Sequence, residues 1–167
     1  NGIELDGPNN TVGGTGEGEW NVLSGNLGSG IAILSWQNTV RGNFIGTDAA
    51  GVTAKGNGFI SGSSRNGAGI LIQDGADDNT IGGNTASARN VISGNKNSGV
   101  EITAITNSQN GNLIRGNYIG VAANGTSALG NGLHGVFLNT LIGNAVVDNT
   151  IGGTAAGEGN VIRSNAG

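Results

Sequence analysis

The chain has 167 residues, of which 35% are hydrophobic, 4% are aromatic and 35 are glycine, which is too little apolar material for a conventional globular core. Only 11% of the residues are charged and the net charge is −4, so the composition does not match a disordered chain either. The absence of cysteine excludes disulfides and thiolate sites, the seven Lys and Arg form no cluster that would bind nucleic acid, and no apolar run approaches the about 18 residues that membrane insertion needs.

One phrase returns three times along the chain. It reads NTVGG at residues 10–14 and NTIGG at residues 79–83 and 149–153. After a constant interval it is followed by NVLSGN at residues 21–26, NVISGN at 90–95 and NVIRSN at 160–165. The constant spacing indicates that one structural unit is copied along the chain.

A second phrase alternates with the first. NTVRGNFIG at residues 38–46 returns as NLIRGNYIG at residues 112–120, and each copy leads into a loop of small residues. Five short apolar segments lie between the phrases, each directly after a glycine, at residues 3–5, 31–33, 70–72, 100–102 and 136–138. Their alternation predicts strands whose first and third side chains point inward.

Together these units predict an all-β chain folded as a right-handed, single-stranded parallel β-helix with about five coils of three short strands each. Such a solenoid needs few apolar residues, because each coil places its Ile, Val and Leu side chains about 4.8 Å above those of the previous coil. Asparagines at the strand ends are expected to stack in the same way and to pass amide hydrogen bonds from coil to coil. The residues predicted for this asparagine ladder are Asn26, Asn43, Asn95, Asn117 and Asn165.

The two ends of the chain continue the repeat. Residues 160–167 followed by residues 1–5 reproduce the spacing of residues 90–102, and no end cap is visible in the sequence. We therefore interpret residues 1–167 as a single β-helix segment, either a window of a longer repeat chain or a fibre subunit. The expected partners are other β-helix coils that stack on the chain ends.

The repeat phrases resemble those of bacterial right-handed β-helix repeat proteins, whose NTIGG, NVISGN and GNxIGT motifs belong to surface or secreted exoproteins related in architecture to pectate lyases. The resemblance covers nearly the whole chain. It implies the β-helix fold and an extracellular or cell-surface location. It implies no particular catalytic residue, because function depends on the site that a fold carries.

Few residues indicate a catalytic or metal-binding site. The densest acidic patch consists of Asp74, Asp77 and Asp78, which are candidate Ca²⁺ ligands because this ion prefers carboxylate oxygens; a solvated turn is the alternative. No other cofactor is expected, and no catalytic or cofactor-binding residue is identified. The single histidine, His134, has no Ser and Asp partners at a recognisable spacing.

Two pairs of equivalent residues in the second phrase are candidate surface contacts. Arg41 and Arg115 occupy one repeat position, and Phe44 and Tyr118 occupy another, both predicted to face outward. Exposed aromatic rings can stack on sugars, so polysaccharide is a candidate partner.

The sequence thus favours a structural or adhesive β-solenoid module of an exported bacterial protein, acting in a stalk or an extracellular fibre. The alternatives are a carbohydrate-active β-helix, either a polysaccharide lyase or a hydrolase, and a glycan-binding module without catalysis.

Overall fold

The structure is a computed structural model that describes residues 1–58, 67–140 and 143–167. The described residues form a parallel β-helix, because strands that follow one another in the chain belong to different sheets, and each strand pairs in parallel with its counterpart in the next coil. Five coils follow one another, and their described residues are 3–30, 31–58 with 67–69, 70–99, 100–135, and 136–140 with 143–167. They build three sheets of five strands each.

The three sheets are named in the order in which each coil visits them. Sheet A contains β1 (Ile3–Leu5), β4 (Ile31–Ile33), β7 (Ile70–Gln73), β10 (Val100–Ala104) and β14 (Val136–Thr140). Sheet B contains β2 (Thr11–Val12), β5 (Thr39–Val40), β8 (Thr80–Gly82), β12 (Leu113–Arg115) and β16 (Thr150–Ile151). Sheet C contains β3 (Val22–Leu23), β6 (Phe44–Ile45), β9 (Val91–Ile92), β13 (Tyr118–Ile119) and β17 (Val161–Ile162).

Two short elements interrupt this regular pattern. The fourth and fifth coils carry an additional pair of parallel strands, β11 (Gln109–Asn110) and β15 (Val146–Val147), so these coils have four strands rather than the predicted three. The third coil contains the one helical element of the described residues, a 3₁₀ turn over Ala86–Ala88, with Thr85 at its N-cap.

The core is a column of stacked aliphatic side chains, as the repeat predicts. In sheet A the register pairs Ile31 with Ile70 and Ile70 with Val100, and all three side chains are fully buried. Sheets B and C contribute Ile81, Ile114, Ile92 and Ile119, which are also fully buried. Aliphatic side chains at one repeat position therefore form a continuous apolar contact through several coils.

The outward-pointing side chains of sheet A are more buried than the alternation of inward and outward residues predicts. Ala32, Leu71 and Glu101 are the second residues of their strands and point away from the core column, yet they are 2%, 2% and 5% exposed. The period of two in the sequence predicts which way these side chains point, but it carries no information about what covers them.

Candidate functional site

Three ladders of stacked asparagines run along the β-helix and follow its corners. The first precedes the sheet B strands and contains Asn10, Asn38, Asn79, Asn112 and Asn149. The second precedes the sheet C strands and contains Asn21, Asn43, Asn90, Asn117 and Asn160. The third follows the sheet C strands and contains Asn26, Asn57, Asn95, Asn131 and Asn165.

Each rung of a ladder uses the asparagine side chain twice. The Oδ1 atom of Asn117 accepts the backbone N–H of Asn90 at 3.3 Å and its side-chain N–H at 2.9 Å. The Nδ2 atom of Asn117 donates to the backbone oxygen of Ile81 in the preceding coil at 2.9 Å. Asn90 and Asn117 are fully buried. Their polar atoms are thus satisfied by neighbouring coils, which is what burial of an amide requires.

The predicted ladder residues belong to two of these ladders rather than to one. Asn43 and Asn117 stand before sheet C strands, whereas Asn26, Asn95 and Asn165 stand after them. The first ladder contains none of the predicted residues. Its signal was present in the sequence, because the asparagine that opens each NTIGG or NTVRGN phrase occupies this corner.

The corner between sheets B and C alternates between two forms. In the first, third and fifth coils it is a wide corner, at residues 13–20, 82–89 and 152–159. In the second and fourth coils it is a tight corner, Arg41-Gly42 and Arg115-Gly116. The glycine of each tight corner donates its N–H to the following wide corner, Gly42 to the Ala88 oxygen at 3.2 Å and Gly116 to the Glu158 oxygen at 3.0 Å.

The three wide corners share one turn-closing hydrogen bond. Glu19 donates its N–H to the Gly16 oxygen at 3.3 Å, and Glu158 donates to the Ala155 oxygen at 3.2 Å. Ala88 occupies the same place in the third coil and donates to the Thr85 oxygen at 3.2 Å. The third coil therefore keeps this hydrogen bond although alanine replaces glutamate, but its turn is a 3₁₀ turn in which Ser87 lacks the positive φ of Gly18 and Gly157.

The two glutamates fold back onto their own turns. Oε2 of Glu19 accepts the backbone N–H of Gly16 at 2.7 Å and that of Thr15 at 2.9 Å. These hydrogen bonds, with Gly16 the larger cause, hold the pKa of Glu19 below its ordinary value. The backbone N–H of Ala155 lowers the pKa of Glu158 in the same way, and Arg115 adds to the effect through an ion pair with Glu158.

A polar pocket of about 480 Å³ opens at the wide corner of the third coil. Arg41 and Arg115 both line it, together with Ala88 and the backbone or side chains of Asn84 and Thr85. Among the described residues, the Nε atoms of both arginines are buried and have no hydrogen-bond partner. The structure thus brings the two predicted arginines to one site, from coils that are not adjacent.

The predicted aromatic pair lies on the outer face of sheet C. Phe44 and Tyr118 are each half-buried, and their strands pair with β9 from opposite sides. Phe44 meets the ring of Trp20 edge to face, with centroids 5.8 Å apart, while the Arg89 guanidinium lies 4.1 Å from the centre of the Tyr118 ring. Both rings therefore have intramolecular partners, which reduces the ring surface that is open to a sugar.

Two of the three predicted Ca²⁺ ligands, Asp74 and Asp77, accept hydrogen bonds from separate partners. Asp74 accepts a hydrogen bond from the Thr106 hydroxyl at 2.9 Å, and Asp77 accepts the backbone N–H of Asn110 at 2.9 Å. Asp74 and Asp78 both have positive φ, at 61° and 55°. Within residues 1–58, 67–140 and 143–167, no group of three His, Cys, Asp or Glu is arranged to hold a metal ion. The carboxylates of Asp74 and Asp77 thus form hydrogen bonds with the next coil, in the turns between sheets A and B.

The outer row of sheet A contains two carboxylates, Glu4 and Glu101, with Ala32 and Leu71 in the coils between them. Three strand spacings separate the two acids, which is about 14 Å at 4.8 Å per strand. Glycosidase carboxylate pairs lie about 5 to 9.5 Å apart. The row therefore does not present such a pair. His134 instead stacks on the Phe137 ring, with centroids 4.8 Å apart.

No family model, no curated protein and no solved structure matches the chain. The part of the chain that the structure describes has no helix with the length and apolar character needed to cross a membrane. Functional inference therefore depends on two features of the molecule itself, the end coils with their ladders and the pocket between the arginines.

Proposed function

We propose that the chain is a structural β-solenoid module whose end coils bind further coils of the same repeat, within a stalk, a surface adhesin or an extracellular fibre. The observation that carries this proposal is the chemical complementarity of the first and last coils. Each end presents groups that a further coil of the repeat would need as partners.

The apolar part of this complementarity is clearest in the last coil. Leu138, Ile151 and Ile162 are 40%, 44% and 42% exposed. Their counterparts one coil earlier, Ile102, Ile114 and Ile119, are fully buried. One further coil in register would bury the exposed apolar surface of the last coil, and burial of apolar surface is the dominant force in such contacts.

The polar part follows from the direction of the ladders. Every Oδ1 acceptor lies one coil after its N–H donor, as in the pairs Asn10–Asn38 and Asn131–Asn165. Among the described residues, nothing donates to the Oδ1 atoms of the first rungs, Asn10, Asn21 and Asn26, or accepts from the backbone N–H groups of the last rungs, Asn149, Asn160 and Asn165. One end thus offers acceptors and the other offers donors.

The alternation of corners indicates which kind of coil fits these ends. Both the first and the fifth coil have the wide corner, and in the described chain every neighbour of a wide corner is a tight one. A coil with the tight Arg-Gly corner therefore fits either end better than another wide-corner coil. The exported, bacterial setting belongs to the same proposal and is supported by the resemblance of the repeat phrases.

The proposal can be tested by adding one coil. A copy of residues 98–131 appended after Gly167 continues the repeat with a tight-corner coil, because Asn165 occupies the ladder position of Asn95. We expect the extended chain to unfold at a higher temperature, because the added coil covers Leu138, Ile151 and Ile162. A copy of residues 68–95, which brings a wide corner, is the matched control and should raise the unfolding temperature less.

Failure of both extensions to raise the unfolding temperature would contradict the proposal, since it would mean that the last coil does not bind a further coil. Hydrogen exchange provides a second readout. The amide of Asn165 should become protected in the tight-corner extension, because the added asparagine accepts its N–H.

A further inference from the structure

The five coils carry a row of charges at the corner between sheets B and C, and this row has a gap at its centre. From the first coil to the fifth it reads Glu19, Arg41, Ala88, Arg115, Glu158. Negative and positive side chains alternate except in the third coil, where alanine takes the place of glutamate. The pocket of about 480 Å³ lies at this position, between the two arginines.

The first coil shows what the turn of a wide corner binds. There the Glu19 carboxylate accepts two backbone N–H groups, those of Thr15 and Gly16. The equivalent donors in the third coil are the N–H groups of Asn84 and Thr85, for which no described residue is an acceptor. Both residues line the pocket. Since the third coil keeps the hydrogen bond that closes the turn in the first coil, it offers the equivalent pair of donors without an internal carboxylate.

The third coil also keeps the space that a carboxylate would need. Gly14 and Gly153 lie so close to the glutamates of their own corners that a Cβ on either residue would collide with the carboxylate. In the third coil a Cβ on the equivalent Gly83 would collide with the Cβ of Ala88, so this glycine is required without a carboxylate. The space in front of the Asn84 and Thr85 amides is the pocket itself, which Gly83 also lines.

The arginines add the positive charge. Arg115 already forms an ion pair with Glu158, and Glu19 is close enough to Arg41 to interact with its charge. Neither glutamate lines the pocket, and the buried Nε atoms of both arginines lack a partner among the described residues. A guanidinium has five N–H donors in a fixed fork, so each arginine can hold its glutamate and still donate to an anion in the pocket.

We propose that the pocket binds the carboxylate of a small hydroxycarboxylate, placed where a glutamate side chain lies in the first and fifth coils. The Asn84 and Thr85 amides and the two arginines would bind the carboxylate. The remaining volume is lined by hydroxyl side chains, among them Thr39, Thr80 and Ser87, which can bind the hydroxyl groups of the ligand. This site is independent of coil stacking at the chain ends.

The test uses the ¹⁵N-labelled chain titrated with sodium glucuronate and followed by the amide signals of Asn84 and Thr85. We expect saturable shifts of both signals, a much smaller response to glucose, which lacks the carboxylate, and a weaker response to sulfate. Equal responses to glucose or sulfate would overturn the assignment to a carboxylate. The absence of any shift with glucuronate would overturn the site.

Two arginine variants test whether glucuronate binds in the pocket. Arg41→Ala should weaken glucuronate binding by about tenfold or more, because one charged donor is lost. Arg163→Ala is the matched control, since Arg163 lies in the last coil and does not line the pocket; it should leave the affinity unchanged. Equal effects of the two arginine variants would contradict the proposed site.

Ala88→Glu is the most specific variant, because it restores the residue that the first and fifth coils carry in the same turn. The new carboxylate should occupy the site from within, shift the Asn84 and Thr85 amide signals without ligand, and abolish glucuronate binding in a folded chain. Retained glucuronate binding by folded Ala88→Glu would overturn the proposal.

Discussion

The side-chain oxygen of Asn90 accepts two hydrogen bonds from Asn43 in the preceding coil, from the backbone N–H at 3.0 Å and from the side-chain N–H at 3.1 Å. Asn90 is fully buried and Asn43 is 1% exposed. No water can replace either bond without opening the coil contact. The ladder is therefore a connection between coils as well as a means of satisfying buried amides.

Replacing Asn90 by alanine should lower the free energy of unfolding by about 3 kcal/mol or more, because it removes several hydrogen bonds and leaves the Asn43 donors buried without an acceptor. Denaturant unfolding followed by circular dichroism measures the change. Asn10→Ala is the control at the exposed end of a ladder, where a loss of about 1 kcal/mol is expected. Equal losses for the two variants would show that burial within the ladder contributes nothing.

The close contact between wide and tight corners predicts that alanine substitution lowers stability by different amounts at two glycines. Gly116 and Gly25 have similar positive φ, 66° and 71°. A Cβ at Gly116 would collide with the backbone oxygen of Gly83, whereas a Cβ at Gly25 would meet nothing within 4 Å. Gly25→Ala should therefore cost about 1 kcal/mol, from the left-handed backbone alone.

Gly116→Ala should cost about 3 kcal/mol or more in the same denaturation experiment, because the third and fourth coils must move apart to admit the methyl group. Similar costs for both glycine variants would mean that the corners are not packed against each other as the structure has them.

The lowered pKa of Glu158 predicts how stability depends on pH. Hydrogen bonding to the Ala155 amide, followed by Arg115, favours the charged carboxylate in the folded chain. The stabilisation is therefore fully present above the ordinary value of 4.5 and is lost as the pH falls through the lower pKa of the folded chain. Glu158→Gln should reduce the unfolding temperature at pH 7.

The difference in unfolding temperature between Glu158→Gln and the unmodified chain should shrink as the pH falls below 4.5. Glu17→Gln is the control, because Glu17 is an exposed glutamate in the wide corner of the first coil. A difference that stays constant over this pH range would contradict the role assigned to the Glu158 charge.

The sequence predicts the fold well because its repeat has a direct physical meaning. Recurrence of the NTIGG phrases and of the apolar segments at Ile31, Ile70 and Val100 identifies like positions in successive coils, and the structure pairs these positions in register. Strands β11 and β15 were missed, since Gln109–Asn110 lacks the apolar alternation that marks the other strands. Their pairing follows from the longer connection between the sheet A and sheet B strands in the last two coils.

The pocket could not be predicted from the motifs one at a time. Arg41 and Arg115 are far apart in the chain, and only the stacking of a wide corner between two tight ones brings them to the same site. The informative signal was the difference between Ala88 and its counterparts Glu19 and Glu158. That difference becomes interpretable once the three turns are known to share the same closing hydrogen bond.

Electron microscopy of the purified native material tests the central claim, that the coils are units to which further coils are added, most directly. The account predicts rods in which the coil spacing of about 4.8 Å continues without interruption past the first and fifth coils, with Ile151 and Ile162 covered by the next coil. Isolated particles in which segments of other structure cover these residues, and in which no coil follows the fifth, would contradict it.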